Sequence, residues 1–213
     1  HSIFDGVADV AKADTMKILY GDDIITEELL GLKFNISSFS FFQTNSLGAE
    51  KLYSIARDFI GNTKDKVIFD LYSGTGTIGQ ILAPNAKKVI GIEIVQEAVD
   101  KANENTKLNK LDNCSFIAGD VLTKIDELTD SPDIIVLDPP REGIHPKAIQ
   151  KIINYSPETF IYISCKPTSL AKDLPYFLNS GYKVEKVQCV DMFPNTPHVE
   201  SIILMTYCGS EEK

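Results

Sequence analysis

Three stretches of this sequence carry residue types at spacings that can do chemistry. In Val67–Gly79, VIFDLYSGTGTIG, an apolar run reaches Asp70 and then Gly74, Gly76 and Gly79 at G-x-G-x-x-G spacing. Glycines at such a turn let backbone approach a ligand without Cβ interference, and the spacing suits a nucleotide-like ligand. The same spacing also serves a merely tight strand-to-helix turn. Glu93 closes a second apolar run, Val89–Ile92, and a carboxylate there would accept hydrogen bonds from ribose hydroxyls. The second stretch is Asp138-Pro139-Pro140, where two prolines end a strand and stiffen the backbone behind an acid. A rigid acceptor of this kind suits a planar nitrogenous base. The third is Ser164-Cys165-Lys166-Pro167. Cys165 precedes a predicted helix start, whose dipole favours the thiolate, so it is the candidate nucleophile. Cys114, Cys189 and Cys208 fall in apolar strands and are expected to be buried. Asp191–Glu200, DMFPNTPHVE, adds His198 and Glu200 on a loop stiffened by two prolines.

Positioning these groups requires a sheet. From Lys66 onward, strand patterns at 66–71, 88–93, 114–118, 133–137, 159–164, 182–192 and 201–207 alternate with helical patterns at 77–83, 96–108, 146–154 and 168–179. Residues 121–128 are too short a pattern to assign. Apolar strands separated by helices imply a doubly wound parallel sheet, in which ligands sit outside the carboxyl ends of the strands. Asp70, Glu93, Gly119-Asp120, Asp138 and Cys165 all fall at those ends. The last two strands have too short a link for a helical crossover and must pair antiparallel. One antiparallel strand added to a parallel sheet is the pattern of class I methyltransferases, and it favours S-adenosylmethionine over a dinucleotide. Before Lys66, Met16–Tyr20 and Leu32–Ile36 read as short strands, and Gly48–Ile60 has helical apolar spacing. Between them, Ser37–Asn45, SSFSFFQTN, is irregular; its phenylalanines are expected to pack in the core, and the polar Gln43 and Asn45 beside them are less simply explained.

The chain has 213 residues, 43% hydrophobic and 24% charged, enough for one α/β core. No run reaches the ~20 apolar residues of a membrane span, and no signal-peptide pattern opens the sequence. The absence of an initiator Met suggests a fragment. The four scattered cysteines include no C-x-x-C pair, which argues against a metal site and for reduced thiols in a cytoplasmic protein. A net charge of −9 supplies no general attraction to a polyanion, so any RNA contact must be local or come from elsewhere.

FFQTN (41–45), DLYSGTGTIG (70–79), GIEIVQEAV (91–99), DPPREG (138–143), SCKP (164–167) and DMFPNTPHVE (191–200) occur in the order found in S-adenosylmethionine-dependent RNA (uracil-5-)-methyltransferases, and the chain resembles that family over residues 40–205. Lys166 departs from the pattern, which usually has Asn after the cysteine. The resemblance implies a Rossmann-like α/β catalytic domain over 47–213, with residues 1–46 a remnant of a preceding β-rich domain. It implies that Gln43, Tyr72, Thr77, Glu93, Asp120 and Asp138 line the cofactor pocket, with Gln43 and Asp138 also near the target base. Cys165 matches the nucleophile and Glu200 the general base. In the implied reaction the Cys165 thiolate adds to uracil C6, C5 takes the methyl group, and Glu200 removes the C5 proton so that the thiol can leave. The implied partner is RNA, 23S ribosomal RNA before transfer RNA, with no membrane, metal or iron–sulfur cluster in this part. Two rivals stand beside it. An NAD(P)-dependent oxidoreductase would use the glycine turn but has no use for DPP or SCKP. A non-catalytic RNA-binding domain is disfavoured by there being only two arginines, Arg57 and Arg141, and no basic stripe.

Overall fold

The computed structural model describes residues 2–3, 15–37 and 40–209. Its centre is a seven-stranded sheet built from β5 (Val67–Leu71), β6 (Lys88–Glu93), β7 (Cys114–Ala118), β8 (Ile134–Leu137), β9 (Thr159–Ser164), β10 (Tyr182–Val190) and β11 (Glu200–Tyr207), in the order β10-β11-β9-β8-β5-β6-β7. β5 pairs in parallel with both β6 and β8, so the crossover direction reverses at β5 and opens a crevice above its carboxyl end. β11 runs antiparallel to both β9 and β10. It is therefore inserted between them rather than added at the edge.

The strands alternate in the side chains they give each face. Ile68 buries on one side of the sheet with α1 (Ser46–Ile60), α2 (Thr77–Leu82) and α3 (Gln96–Leu108). Phe69 buries on the other with α4 (Val121–Lys124), α5 (Pro146–Asn154) and α6 (Pro167–Leu178). Each fully buried aliphatic or aromatic side chain contributes roughly 1.5–3 kcal/mol, so two such layers fix the strand ends that carry the polar groups. The unassigned 121–128 stretch forms α4 and a 3-10 turn, Ile125–Glu127. Among the described residues no helix is long and apolar enough to cross a membrane.

Before the sheet, β1 (Ser2–Ile3) pairs with β2 (Thr15–Met16), and β3 (Ile24–Leu29) forms a hairpin with β4 (Leu32–Ser37). The strand expected over Met16–Tyr20 is confined to Met16. Ile18, Leu19 and Tyr20 are exposed and meet no partner strand. β3 was not expected, because IITEEL mixes charge with apolar residues and mostly faces solvent. Leu29 and Phe34 nevertheless bury in the same cluster as α1 and the sheet. The free edge of β4 is read by α3. Asn109 exchanges two 2.8 Å hydrogen bonds with the Lys33 backbone, and Asn105 bonds both backbone groups of Asn35 at 2.9 and 3.2 Å. One helical turn of asparagines thus does the work of a neighbouring strand. It anchors the segment that leads to Gln43.

Of the cysteines expected to be buried, only Cys114 is; Cys189 and Cys208 are exposed. β10 is an edge strand with a solvent-facing side, and Cys208 lies beyond the end of β11.

Candidate active site

A cleft of about 1200 Å³ opens above the carboxyl ends of β5, β6, β8 and β9. Gln43, Tyr72, Thr77, Glu93, Asp120, Asp138, Cys165 and Glu200 all line it.

Its first wall is the glycine turn. The backbone N–H groups of Tyr72 and Ser73 both bond the Ile92 carbonyl, at 2.9 and 3.1 Å, locking the turn onto β6. Gly76 has φ +71°, and a Cβ there would sit 2.3 Å from the Phe116 ring. At Gly79 a Cβ would meet Asp70 Oδ2 at 2.7 Å, where the Gly79 N–H instead donates to that oxygen at 2.9 Å. Glu93 Oε2 accepts from Gly74 N–H and Oε1 from Val95 N–H, each at 2.9 Å. One lone pair on each oxygen remains for a ligand hydroxyl. Asp120 lies at the same wall and accepts the Leu122 N–H at 2.9 Å as the cap of α4. Thr77 is buried; its hydroxyl lies 3.2 Å from that of Thr75, which donates to the Phe41 carbonyl. Phe41 is itself exposed and lines the cleft, against the expectation that it packs in the core. Phe42 is half-buried against the core, and Phe39 lies outside the described residues.

Two polar atoms of this wall are buried without a partner among the described residues, Asp70 Oδ1 and Ser73 Oγ. Burial pushes the Asp70 carboxyl up to about 7, against the pull of the Gly79 hydrogen bond and with a further push from Glu93. An unpaired buried acceptor costs free energy that a ligand donor would return.

The second wall gathers Asp138, Cys165 and Glu200. Its geometry follows from β11. Ser201 pairs with Ser164 in antiparallel register, so the residues just beyond that pair, Glu200 and Cys165, are brought together at the cleft. Glu200 is buried at the start of its strand. Asp138 follows β8 directly and is flanked by β5 and β9. Burial raises the Asp138 carboxyl well above the carboxylate range, and the Glu200 and Asp70 charges push it further. Burial also raises Glu200. The Cys165 thiol is raised by burial and by the Glu200 and Asp138 carboxylates, while Arg141 pulls it down. The expected lowering by the α6 terminus is therefore outweighed. All three groups on this wall thus have their charged forms disfavoured, chiefly by burial.

Several residues that support the site were not legible as functional. Tyr53, on α1, lines the cleft beside Gln43; burial and the Asp138, Asp70 and Glu200 carboxylates raise its phenol, and a Gln43 hydrogen bond opposes them. Helical spacing marks it only as a possible core residue. Asp173 on α6 accepts the Ile144 N–H at 2.8 Å and the Tyr162 hydroxyl at 2.6 Å, and so holds the loop after Asp138. Asn45 accepts the Gly48 N–H at 2.9 Å as the cap of α1 and donates to the Met192 carbonyl at 3.0 Å. His198, which the sequence did single out, has its Nδ1 3.3 Å from Arg141 Nη2 at the cleft mouth.

The family model described as tRNA (Uracil-5-)-methyltransferase matches residues 4–207. An uncharacterized RNA methyltransferase of Clostridium tetani is 59% identical over 203 residues, covering 95% of this chain and 44% of its own length. One from Caldanaerobacter subterraneus subsp. tengcongensis is 55% identical, covering 96% and 46%. The chain thus spans about half the length of these relatives. Among solved structures, the Pyrococcus abyssi tRNA (uracil-54, C5)-methyltransferase in complex with S-adenosyl-L-homocysteine superposes with a TM-score of 0.83 at 30% identity, covering 96% of this chain and 50% of that one. The M. jannaschii TYW2 structure shares the fold, with a TM-score of 0.63 at 22% identity over 89% of this chain and 88% of that one.

Proposed function

This chain belongs to the tRNA (uracil-5-)-methyltransferase family, and from that premise we propose that it transfers a methyl group from S-adenosylmethionine to C5 of a uridine in RNA. The observation that supports this most directly is the single cleft that holds the glycine turn and Glu93 on one wall and Cys165 with Glu200 on the other.

The residues fit the cofactor. The turn leaves space where side chains would intrude, and Asp70 Oδ1 and Ser73 Oγ are buried polar atoms that lack partners among the described residues. We assign Gln43, Tyr72, Thr77, Glu93, Asp120 and Asp138 to holding it, with Glu93 on the ribose hydroxyls. When bound, S-adenosylmethionine supplies an electrophilic methyl group. Cys165 Sγ bonds to uracil C6, and the C5=C6 electron pair moves toward O4, making C5 nucleophilic. Once C5 carries the methyl group, Glu200 takes the C5 proton. The C6–S bond then breaks, restoring C5=C6 and the thiolate. Asp138 and Gln43, flanking these groups, orient the base. Burial and the Glu200 and Asp138 carboxylates raise the thiol, so its proton passes to solvent before addition and Glu200 stays ionised for the C5 proton.

The substrate we propose is a 23S ribosomal RNA uridine, in the cytoplasm. A transfer RNA uridine is the second reading, favoured by the description of the matching family and by the Pyrococcus abyssi enzyme. Mapping 5-methyluridine in ribosomal and transfer RNA from a strain lacking the gene tests both. One site lost from 23S RNA supports the first reading, and one lost from transfer RNA replaces it with the second. Retention of every site, together with no methyl transfer in vitro, would overturn the activity.

A further inference from the structure

Two cations flank the nucleophile and are built into one junction. Ser169, buried on the first turn of α6, donates its hydroxyl to the Arg141 carbonyl at 2.7 Å, and its backbone N–H to the Lys166 carbonyl at 2.9 Å. One residue therefore ties together the loop after β8 and the turn after β9. With both carbonyls turned to Ser169, the Arg141 and Lys166 side chains extend from fixed backbone, and both residues are exposed.

Among the described residues neither cation has a carboxylate partner. The Lys166 ammonium makes no ion pair or hydrogen bond there, and the Arg141 guanidinium hydrogen-bonds only His198 Nδ1, which leaves most of its five donors free. Among the described residues Lys66, Lys88, Lys101, Lys124 and Lys151 are each paired with a carboxylate, while Lys147 and Lys172, on α5 and α6, are not. What sets Arg141 and Lys166 apart is place: in a chain of net charge −9, Arg141 lines the cleft and acts on Cys165, and Lys166 follows Cys165 directly.

We propose that Arg141 and Lys166 form a two-point clamp for the RNA phosphodiester backbone adjoining the target uridine, set at a fixed spacing by Ser169. The inference rests on the methyl-transfer reading for the identity of the polymer. A guanidinium can grip phosphate oxygens bidentately, and an ammonium acts as a point charge. To do so Arg141 would exchange the imidazole it now touches for phosphate. Because the clamp adjoins Cys165, phosphate capture and presentation of C6 to the thiol become one event.

Phosphate contacts show in the salt dependence of binding. For single strands, log affinity falls against log salt by about 0.7 per phosphate contacted. With a labelled oligouridylate as probe, Arg141→Gln and Lys166→Gln should each make that slope shallower by about 0.7, and the double variant by about 1.4. Lys88→Gln, which removes an ammonium paired with Asp130 at the amino end of β6, should leave the slope unchanged. Melting temperatures verify that each variant is folded. A wild-type slope in the folded double variant, or an equal loss in Lys88→Gln, overturns the clamp. Formation of 5-methyluridine by the wild type is scored separately. If it is made while the double variant keeps its slope, the clamp alone fails. If it is never made, the methyl-transfer reading fails whatever the slopes show.

Discussion

The two walls of the cleft are built on opposite principles. On the glycine wall the backbone does the work: Gly74, Gly79 and Val95 donate N–H groups to Glu93 and Asp70, and Tyr72 and Ser73 are tied to the Ile92 carbonyl. Nothing there must move for a ligand to bind. On the thiol wall, Cys165, Glu200 and Asp138 face one another with few fixed partners, and each holds its proton more tightly than it would in water. The first wall is a mould of fixed backbone, and the second a set of buried titratable groups. A binding step rewards rigidity, whereas a reaction that adds a thiolate and then removes a carbon-bound proton needs groups that change charge. Altering either wall should therefore produce a different kind of failure.

The largest effect is expected on the thiol wall. Cys165→Ala should abolish turnover and give no covalent RNA adduct. Glu200→Gln should allow thiol addition and methylation but block proton removal, slowing turnover by about 10²–10⁴-fold. The enzyme should then accumulate joined to methylated RNA, seen as a shifted band on a denaturing gel. The double variant should behave as Cys165→Ala. An adduct in Cys165→Ala would move the nucleophile elsewhere, and normal turnover in Glu200→Gln would point to another base, with His198 next.

Asp70 tests whether the glycine wall stores charge as the thiol wall does. Its carboxyl rises from 3.8 to about 7 on folding, chiefly through burial. Below about pH 4 both folded and unfolded chains carry the proton, and there is no penalty. Between about pH 4 and 7 only the folded state keeps it, so stability falls as pH rises. Above that the loss is constant, on the order of 4 kcal/mol. Asp70→Asn should remove this part of the slope, measured by denaturant unfolding from pH 4 to 8 without cofactor. An unchanged slope would show that Asp70 is ionised in the free protein.

The glycine wall was the more legible of the two in the sequence, for a physical reason. Its residues lie close along the chain, and its glycines are demanded by local sterics, so spacing alone reveals them. The apolar runs Val67–Phe69 and Ile134–Leu137 likewise announce buried strands. The thiol wall depends on β11 being inserted beside β9, a long-range choice that places Glu200 next to Cys165. Local reasoning about Cys165 accordingly saw the helix terminus and missed the carboxylates, and so gave the wrong direction for its thiol. The same blindness applied to Cys189, expected to be buried but exposed on a strand at the sheet edge. It applied also to β3, a strand whose partner is the hairpin and whose outer face is wet.

A smaller loss is expected from Glu93→Ala. Calorimetry should show S-adenosylhomocysteine binding weakened by roughly 1–3 kcal/mol, about 5- to 150-fold, because the ribose acceptor and the anchor of Gly74 and Val95 vanish together. Adduct chemistry at saturating cofactor should be little changed, which separates the walls. Unaltered affinity would remove Glu93 from the cofactor site.

Asn45 ties α1 to the loop that ends in Glu200, so it offers the finest test of how the thiol wall is held. Its Oδ1 caps α1 through Gly48, and its Nδ2 holds the Met192 carbonyl at the base of the loop that ends in Glu200. Gly48 packs so closely that a Cβ would lie 2.7 Å from the Asn45 side chain and 2.8 Å from Met192 Sδ. Asn45→Ala removes both functions and should cost about 1 kcal/mol of stability through the lost cap. Asn45→Asp keeps an equally good cap but replaces the donor with a carboxylate facing a carbonyl. Its stability should stay within about 0.5 kcal/mol of wild type if the cap dominates. The loop bearing His198 and Glu200 should nevertheless be displaced. The expected sign is kinetic: Asn45→Asp should resolve its RNA adduct more slowly than it forms it, a weak copy of Glu200→Gln, with cofactor affinity unchanged. Asn45→Ser, which keeps a capping oxygen but cannot reach Met192 with an amide, should share that delay. If Asn45→Asp instead lost stability as Asn45→Ala does and resolved its adduct at the wild-type rate, Asn45 would be a helix cap alone, with no hold on the loop that bears Glu200.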